Sequence, residues 1–326
     1  MTDDREPRAR DPRAISGGSL QEAELQAAPD VAWRATAARS ESPFEQGVRR
    51  LRRSTTALIG AAIVAVLLVV ALFADVLAPQ SPITSDQTHT FERPSWDYPL
   101  GTDQLGRDML SRIIHGSRIS LAVGVSSVLL ALFVGVPFGM IAGYYGGRVD
   151  SLIMRAMDLI LAFPIYLLAI ILMVIFAPTA GLIGTMKVTG AIAIVRIPIY
   201  ARLVRGSVLS IKEKEYLEAC RAVGVRDPWI LLRHILPNCL APIIVTTTLG
   251  IATSIIVEAT LSFLGLGTQP PTPSWGLMLS STGRAFMEQA PWLAIFPGLA
   301  ISLAVLAFNL FGDTLRDAWD PKLRRN

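Results

Sequence analysis

The residues best placed to do chemistry lie in a charged stretch, residues 215–238, that separates two apolar segments. Within residues 211–223, small and apolar side chains recur every three or four positions among Lys, Glu and Arg. This spacing is typical of an amphipathic surface helix. Charged groups such as Glu218 on such a helix suit binding to another protein. An amphipathic hairpin at the bilayer surface and a loop packed on its own helical bundle remain alternatives.

Turn residues in the same stretch predict two helices joined by a tight bend. Gly224 stands where a helix needs a left-handed C-terminal cap. Asp227 followed by Pro228 is typical of an N-cap and a first helical turn, so a second short helix should begin there. We expect Pro237 to end that helix, because an internal proline removes a backbone hydrogen bond. The pattern therefore predicts a soluble hairpin inserted between two membrane helices.

The order of these residues resembles a known motif. An acidic residue, two small residues, a glycine and a Leu-Pro pair are spaced as in the EAA loop of ABC-importer permeases. In that family the loop is the cytoplasmic element that docks into a groove of the ATPase subunit. The resemblance assigns ATPase coupling to Glu215, Glu218, Ala219, Cys220, Gly224, Asp227, Trp229, Leu236 and Pro237.

The resemblance also implies individual roles. Glu218 would anchor the hairpin to a basic group of the ATPase, and Gly224 would set the bend. Trp229 and Leu232 are expected to hold the second short helix to the bundle. Cys220 stands where the family has a second Ala, a small-for-small change that should preserve close packing.

The sequence offers no pattern for catalysis or nucleotide binding. A phosphate-binding loop of the GxxxxGK[ST] kind needs a lysine directly after a glycine. The lysines, none of which follows a glycine, are Lys187, Lys212, Lys214 and Lys322. The three histidines are scattered without metal-ligand spacing. We therefore predict no enzyme, no metal and no cofactor in this chain, and the resemblance implies that partner subunits bind ATP and Mg²⁺.

Composition indicates a membrane protein. The 326 residues are 52% hydrophobic with a mean hydropathy of +0.47, far above a soluble domain. The net charge of +4 comes mostly from residues that flank apolar segments, which favours topology setting over nucleic-acid binding. We predict an all-α, polytopic fold with six transmembrane helices near residues 57–76, 118–144, 152–177, 188–205, 235–260 and 290–312.

Basic residues in the loops predict the orientation. Four arginines in residues 49–53 precede the first span, so both termini and the charged hairpin are expected to be cytoplasmic. The first external loop also contains arginines and conflicts with this rule. Residues 1–49 have the composition of a disordered tail, 50–323 form the permease domain, and 324–326 are a tail end. By resemblance, the membrane is the bacterial cytoplasmic (inner) membrane.

A second recognisable stretch is residues 98–121, which should form a helix along the outer interface, capped by Thr102 or Asp103. Its PLGTDQLGRDMLSR run resembles the external segment of the dipeptide/oligopeptide branch of these permeases. Contact with a binding protein and bracing of the bundle both stay open. The residues concerned are Gly101, Thr102, Asp103, Gly106, Arg107 and Asp108.

Arg196 lies in the predicted fourth span, where an arginine costs about 2.5–3.5 kcal/mol on insertion scales. Glu258 or Asp158 could be its partner. The pair could hold helices in register, or Arg196 could line a translocation pathway. Glycines at positions 135, 139, 143 and 147 predict close approach between two helices.

Together these features predict the permease subunit of an ATP-driven, binding-protein-dependent importer of dipeptides or oligopeptides that works by alternating access. The implied partners are a homologous second permease in a heterodimer, two ATPase subunits or a fused ATPase, an extracytoplasmic peptide-binding protein and membrane lipid. Import of nickel or another small solute by the same branch is an alternative. A secondary transporter would need its own driving-ion site, for which only Glu258 and Asp158 are candidates.

Overall fold

The structure, a computed structural model, describes residues 49, 51, 54–280, 286 and 288–319. Most of the predicted tail over residues 1–49 and all of 324–326 lie outside these residues. Within the described residues every regular element is helical, which confirms the all-α prediction. The helices are α1 (Thr55–Leu72), α2 (Ala74–Leu77), α3 (Met109–Tyr145), α4 (Gly147–Leu161), α5 (Ile165–Phe176), α6 (Gly181–Ile211), α7 (Glu215–Ala222), α8 (Asp227–Trp229), α9 (Leu236–Phe263), α10 (Trp275–Met278) and α11 (Trp292–Trp319).

Five helical stretches of the described chain are long and apolar enough to cross a membrane: α1, α3, α6, the run Asp227–Phe263 and α11. A sixth crossing requires α4 and α5 to count as one span, and their axes meet at 87°. A single helix over 152–177 is therefore wrong. The cause is Pro164, which has no N–H to donate and an extended ψ of 134°, so α5 restarts after it.

The outer segment does not form a separate helix capped by Thr102 or Asp103, as the sequence predicted. Instead α3 begins at Met109, and the carboxylate of Asp108 caps it by accepting from Ser111 N at 2.8 Å. Asp103 does not cap the helix, because its carboxylate accepts from the backbone N–H groups of Leu105 and Arg107, in the turn between Asp103 and α3. The 37 residues of α3 span about 55 Å, so part of the helix extends beyond a hydrocarbon layer of about 30 Å.

The predicted glycine packing joins α3 to α6. A side-chain carbon at Gly139 would come within 2.4 Å of Ala201 O, and Gly135 and Gly143 meet the same helix as closely. The two backbones can approach only because these positions lack a side chain. Gly147 is different: it lies in open space with φ of +54° and begins α4.

The turn before α6 is short, because α6 begins at Gly181 and not at the predicted start of the fourth span near residue 188. Gly184 does not break the helix. A side-chain carbon there would lie 1.6 Å from Thr179 O, so this glycine lets the turn fold back on the helix. Lys187 Nζ also reaches back and donates to Ala177 O at 3.0 Å. These contacts explain why glycine and lysine occur inside a helix where the sequence suggested a loop.

The bundle has two distinct ends. At one end, Thr56 at the start of α1 contacts Thr314 near the end of α11, and the charged hairpin follows the end of α6. At the other end, Ala180 pairs with Gln269, and the Trp292 indole donates to Thr102 O at 3.0 Å. The charged hairpin and the outer segment therefore lie at opposite ends, as the predicted topology requires.

Candidate functional site

The charged hairpin is a short helix, a glycine bend and a wide helical turn. Helix α7 begins at Glu215, later than the predicted 211, because α6 continues to Ile211. Gly224 has a φ of +82°, and Val225 N donates to Cys220 O at 3.0 Å, which closes the helix end. This geometry confirms the predicted left-handed cap.

Pro237 does not end the second helix, contrary to expectation. A π-helical turn, Ile230–Ile235, connects α8 to α9, and the chain stays helical to Phe263. Pro237 lies in the first turn of α9, where a missing N–H is tolerated. The wider π turn accommodates the proline ring that would otherwise clash with the preceding turn. The hairpin is thus continuous with a membrane-spanning helix.

One face of the hairpin packs into the bundle. Leu217, Ile230 and Ile235 are fully buried and share an apolar cluster with Val204 and Val208 of α6. Trp229 and Leu232, expected to hold this segment, are instead 60% and 61% exposed. Helical spacing explains the difference, because the residues next to Trp229 and Leu232, not these two, face inward.

Polar contacts attach the hairpin to the end of α3. Tyr144 donates its hydroxyl proton to Asp227 Oδ1 at 2.6 Å, and the Arg221 guanidinium lies 5.4 Å from the Tyr144 ring centre. Lys212 Nζ donates to Gly143 O at 3.2 Å. Asp227 is therefore not the N-cap that the sequence predicted, a position held by Arg226. Tyr144 was missed because nothing in the sequence links residue 144 to a motif more than 80 positions later.

The opposite face of the hairpin is exposed. Glu215, Glu218, Ala219 and Gly224 are exposed, Cys220 is half-buried, and Val223 is 84% exposed. Together with Trp229 and Leu232 they form a mixed acidic and apolar surface that the bundle leaves uncovered. We call Glu218, Ala219, Val223, Trp229 and Leu232 the hairpin surface. Exposed apolar side chains grouped with charge are typical of a protein-binding surface.

The outer segment is a braced turn. Asp103 accepts from Arg107 Nε at 2.7 Å, and Arg112 Nε lies 3.5 Å from the same carboxylate. Thr102, Asp103 and Asp108 are buried, and a side-chain carbon at Gly101 would collide with the Trp292 indole. These contacts support bracing as the role of Gly101, Thr102, Asp103, Gly106 and Asp108, and only Arg107 is partly open to a partner.

Electrostatic contacts also order the loop before this turn. The Glu92 carboxylate lies 2.6 Å from His89 Nδ1 and raises the pKa of His89. Asp86 accepts from the Thr88 hydroxyl at 2.6 Å, which lowers the pKa of Asp86.

Arg196 has neither of the partners that the sequence suggested. Its guanidinium donates to the Thr253 hydroxyl, Asp158 pairs with Arg202, and Glu258 accepts from the hydroxyls of Ser120 and Ser262. An ion pair of Arg196 with Glu258 or Asp158 is therefore wrong. Arg196 and Thr253 line a cavity of about 190 Å³.

Comparison with known proteins gives two family matches. Residues 135–325 match the model described as "Binding-protein-dependent transport system inner membrane component". Residues 42–94 match "N-terminal TM domain of oligopeptide transport permease C".

Curated relatives cover most of the chain. It is 44% identical to the dipeptide transport system permease protein DppC of Alkalihalophilus pseudofirmus, over 87% of this chain and 91% of the relative. It is 44% identical to the di/tripeptide permease DppC of Pseudomonas aeruginosa and 47% identical to the glutathione permease GsiD of Escherichia coli, each over 87% of this chain, with 93% and 92% of the relatives covered.

A solved structure shares the fold. A chain of the MetNI methionine ABC transporter, in an inward-facing conformation, aligns with a TM-score of 0.51 at 19% identity. The alignment covers 64% of this chain and 97% of that one.

Proposed function

The chain belongs to the family of binding-protein-dependent transport system inner membrane components, and from that premise we propose that its hairpin couples ATP hydrolysis to peptide import. As a member of that family it is the membrane permease subunit of an ABC importer, and separate ATPase subunits hydrolyse ATP. The coupling residues, the solute and the assembly are the proposed parts.

One observation carries the coupling proposal: the hairpin is fixed to the bundle on one face and exposed on the other. Leu217 and Ile230 are buried, while the hairpin surface is open to a partner. Tyr144 and Asp227 attach the bend to α3, and the π turn continues into α9. Movement of a protein bound to the hairpin surface would therefore be passed to two spanning helices at once.

The mechanism follows from this connection. Two ATPase subunits, or a fused ATPase, close on ATP and draw the hairpins of this chain and of a homologous second permease together. The α3, α6 and α9 helices then reorient, and the solute delivered by an extracytoplasmic binding protein passes inward. Glu218 pairs with a basic group of the ATPase, and Ala219 and Cys220 allow close contact. Coupling in this form is alternating access driven by the partner's nucleotide.

The proposed assembly also fixes the orientation. The chain lies in the bacterial cytoplasmic membrane with both termini and the hairpin in the cytoplasm, since ATP is available there. The four arginines within residues 49–53 agree with this orientation. Arg107, a partly open residue of the outer segment, is then on the side of the binding protein.

The solute is proposed to be a small peptide. The relatives named above are permeases for a dipeptide, di/tripeptides and glutathione, and this chain is 44–47% identical to each. No residue described here favours a nickel complex over a peptide. Selectivity among peptides is expected to reside largely in the binding protein.

The coupling proposal is tested at Gly224. Its φ of +82° costs a β-branched side chain about 1–2 kcal/mol, so Gly224→Val should distort the bend. In the reconstituted importer we expect dipeptide uptake to fall about tenfold, while ATP hydrolysis becomes independent of the loaded binding protein.

Gly224→Asn is the matched control, because asparagine tolerates left-handed backbone and should retain most uptake. No side-chain clash complicates either variant, since a carbon at Gly224 meets no described atom within 4 Å. Normal uptake by Gly224→Val in a normally inserted protein would contradict the proposal.

A further inference from the structure

Arg196 carries a buried positive charge without an anion beside it. It is 9% exposed near the middle of α6, and among the described residues the Thr253 hydroxyl is the group it contacts by a hydrogen bond. The nearby carboxylates are engaged elsewhere, Asp158 by Arg202 and Glu258 by serines. A guanidinium has five N–H donors, and burying it without an anion is costly. Among the described residues, Arg196 therefore has a neutral acceptor but no anion.

Two buried hydroxyls lie beside Arg196. Tyr200 Oη and Thr247 Oγ1 interact with each other, and Tyr200 also lies close enough to interact electrostatically with Arg196. Tyr200 Oη and Arg196 Nη1 lie 3.1 and 3.4 Å from the point that a side-chain carbon at Gly250 would occupy. A hydroxyl and a guanidinium thus approach the same point, where α6 passes Gly250 of α9.

The space beside Arg196 has room for a ligand. Arg196 and Thr253 border a cavity of about 190 Å³ whose other walls are apolar, among them Ile165, Ile192 and Val257. Apolar walls lower the local dielectric and strengthen an ionic contact at the polar end. A cavity with one charged corner suits a small group that bears a negative charge on an apolar body.

We propose that Arg196 binds the carboxylate of the solute in transit through the guanidinium N–H groups that Thr253 leaves free. The inference rests on the proposed peptide import and adds the chemistry of the passing solute. An arginine can hold a carboxylate through two parallel hydrogen bonds. Every peptide with a free C-terminus has this group, so the contact recognises peptides whatever their side chains. A carboxylate could also come from the second permease, and the experiments below separate the two sources.

The first experiment compares Arg196→Gln with Arg196→Lys in the complete reconstituted importer, using Ala-Phe as solute. For Arg196→Gln we expect dipeptide transported per ATP to fall tenfold or more, while loaded binding protein still stimulates ATP hydrolysis within twofold of wild type. Arg196→Lys, which keeps the charge but not the two-pronged geometry, should be intermediate. Arg202→Gln removes an exposed arginine from the same helix and should keep the wild-type ratio.

Each other outcome contradicts the proposal. If Arg196→Gln transported as much dipeptide per ATP as wild type, Arg196 would have no role in binding the solute. Loss of the second permease from purified Arg196→Gln, but not from Arg196→Lys, would assign the carboxylate to that subunit. Loss of ATPase stimulation in an intact complex would assign Arg196 to coupling. Because Gly224→Val tests coupling separately, failure of this inference and failure of the proposed function remain distinguishable.

The second experiment detects the solute at the cavity. A benzophenone side chain at Ile165, a wall of the cavity, should label radioactive Ala-Phe during turnover. Unlabelled Ala-Phe should suppress labelling and its C-terminal amide, added at the same concentration, should not. Labelling should also disappear in the Arg196→Gln background. Absence of labelling in the wild-type background, or labelling that is indifferent to Arg196, would overturn the inference.

Discussion

At the scale of single residues, the position of the hairpin depends on a contact with Tyr144, a residue outside the EAA-like motif. The EAA-like residues Glu218 and Ala219 are exposed and touch little of this chain, so their role depends on a partner. Tyr144 and Asp227, by contrast, fix the position of the hairpin within the chain. The exposed residues that we propose to contact a partner and the residues that position the surface are therefore different sets.

Removal of the Tyr144 hydroxyl tests this positioning role. Tyr144→Phe keeps the ring beside Arg221 but loses the hydrogen bond to Asp227, which should cost about 1 kcal/mol of local stability. We expect faster hydrogen exchange in residues 215–226 and a partial loss of coupled uptake. Tyr145→Phe is the control, since Tyr145 is half-exposed and its hydroxyl makes no hydrogen bond to the described residues. Equal exchange in both variants would contradict the role.

The outer loop should respond to pH through His89. The contact with Glu92 raises the pKa of His89, so the protonated form is favoured in the folded protein. Its contribution to stability is complete below the unfolded pKa of about 6.5 and is lost as pH rises through the higher folded value.

The measurement is the thermal midpoint of the assembled importer, wild type minus His89→Gln, from pH 5 to pH 9. The difference should be largest at the acidic end and should vanish towards alkaline pH. A difference that grows with pH would contradict a stabilising role of protonated His89.

At the scale of elements, the closest packing is between α3 and α6. Gly139→Ala places a carbon 2.4 Å from Ala201 O, which is backbone and cannot rotate away. Overpacking of this kind costs about 1–3 kcal/mol, so the thermal midpoint of the purified complex should fall.

Gly206→Ala is the matched change on α6, where an added carbon meets no described atom within 4 Å. It should leave the midpoint unchanged or raise it slightly, because alanine favours helix. If both alanine variants lowered the midpoint equally, backbone approach at Gly139 would not be the cause.

Several elements could be predicted from sequence and others could not. Apolar runs located five spanning helices, the glycine spacing predicted a close approach of two helices without identifying α6 as the partner, and Gly224 predicted the bend. Predictions from the sequence were wrong where contacts formed in the folded chain override a local sequence signal. Asp103 resembles a cap but is held by Arg107, and Pro237 resembles a helix end but follows a π turn. Such choices depend on packing that local propensity does not contain.

At the scale of the whole molecule, the two ends of the bundle differ in structure. One end is closed by the braced outer segment, where Trp292 and Thr102 join α11 to the loop before α3. The other end presents the hairpin surface. Between them lie Arg196 and its cavity, at the depth where a solute must cross. The cavity could not be predicted from the sequence, because Ile165 and Thr253 come together only in the folded bundle.

The central claim is that the hairpin surface is held by a nucleotide-hydrolysing subunit. The most direct test is photo-crosslinking of the assembled importer with a benzophenone side chain at Val223, which is 84% exposed on that surface. Leu72 is the control position, because it is 72% exposed at the end of α1 away from the hairpin. We expect an adduct between Val223 and the ATPase subunit and none from Leu72. An adduct-free Val223, or one labelled from outside the cell by a membrane-impermeant reagent, would contradict it.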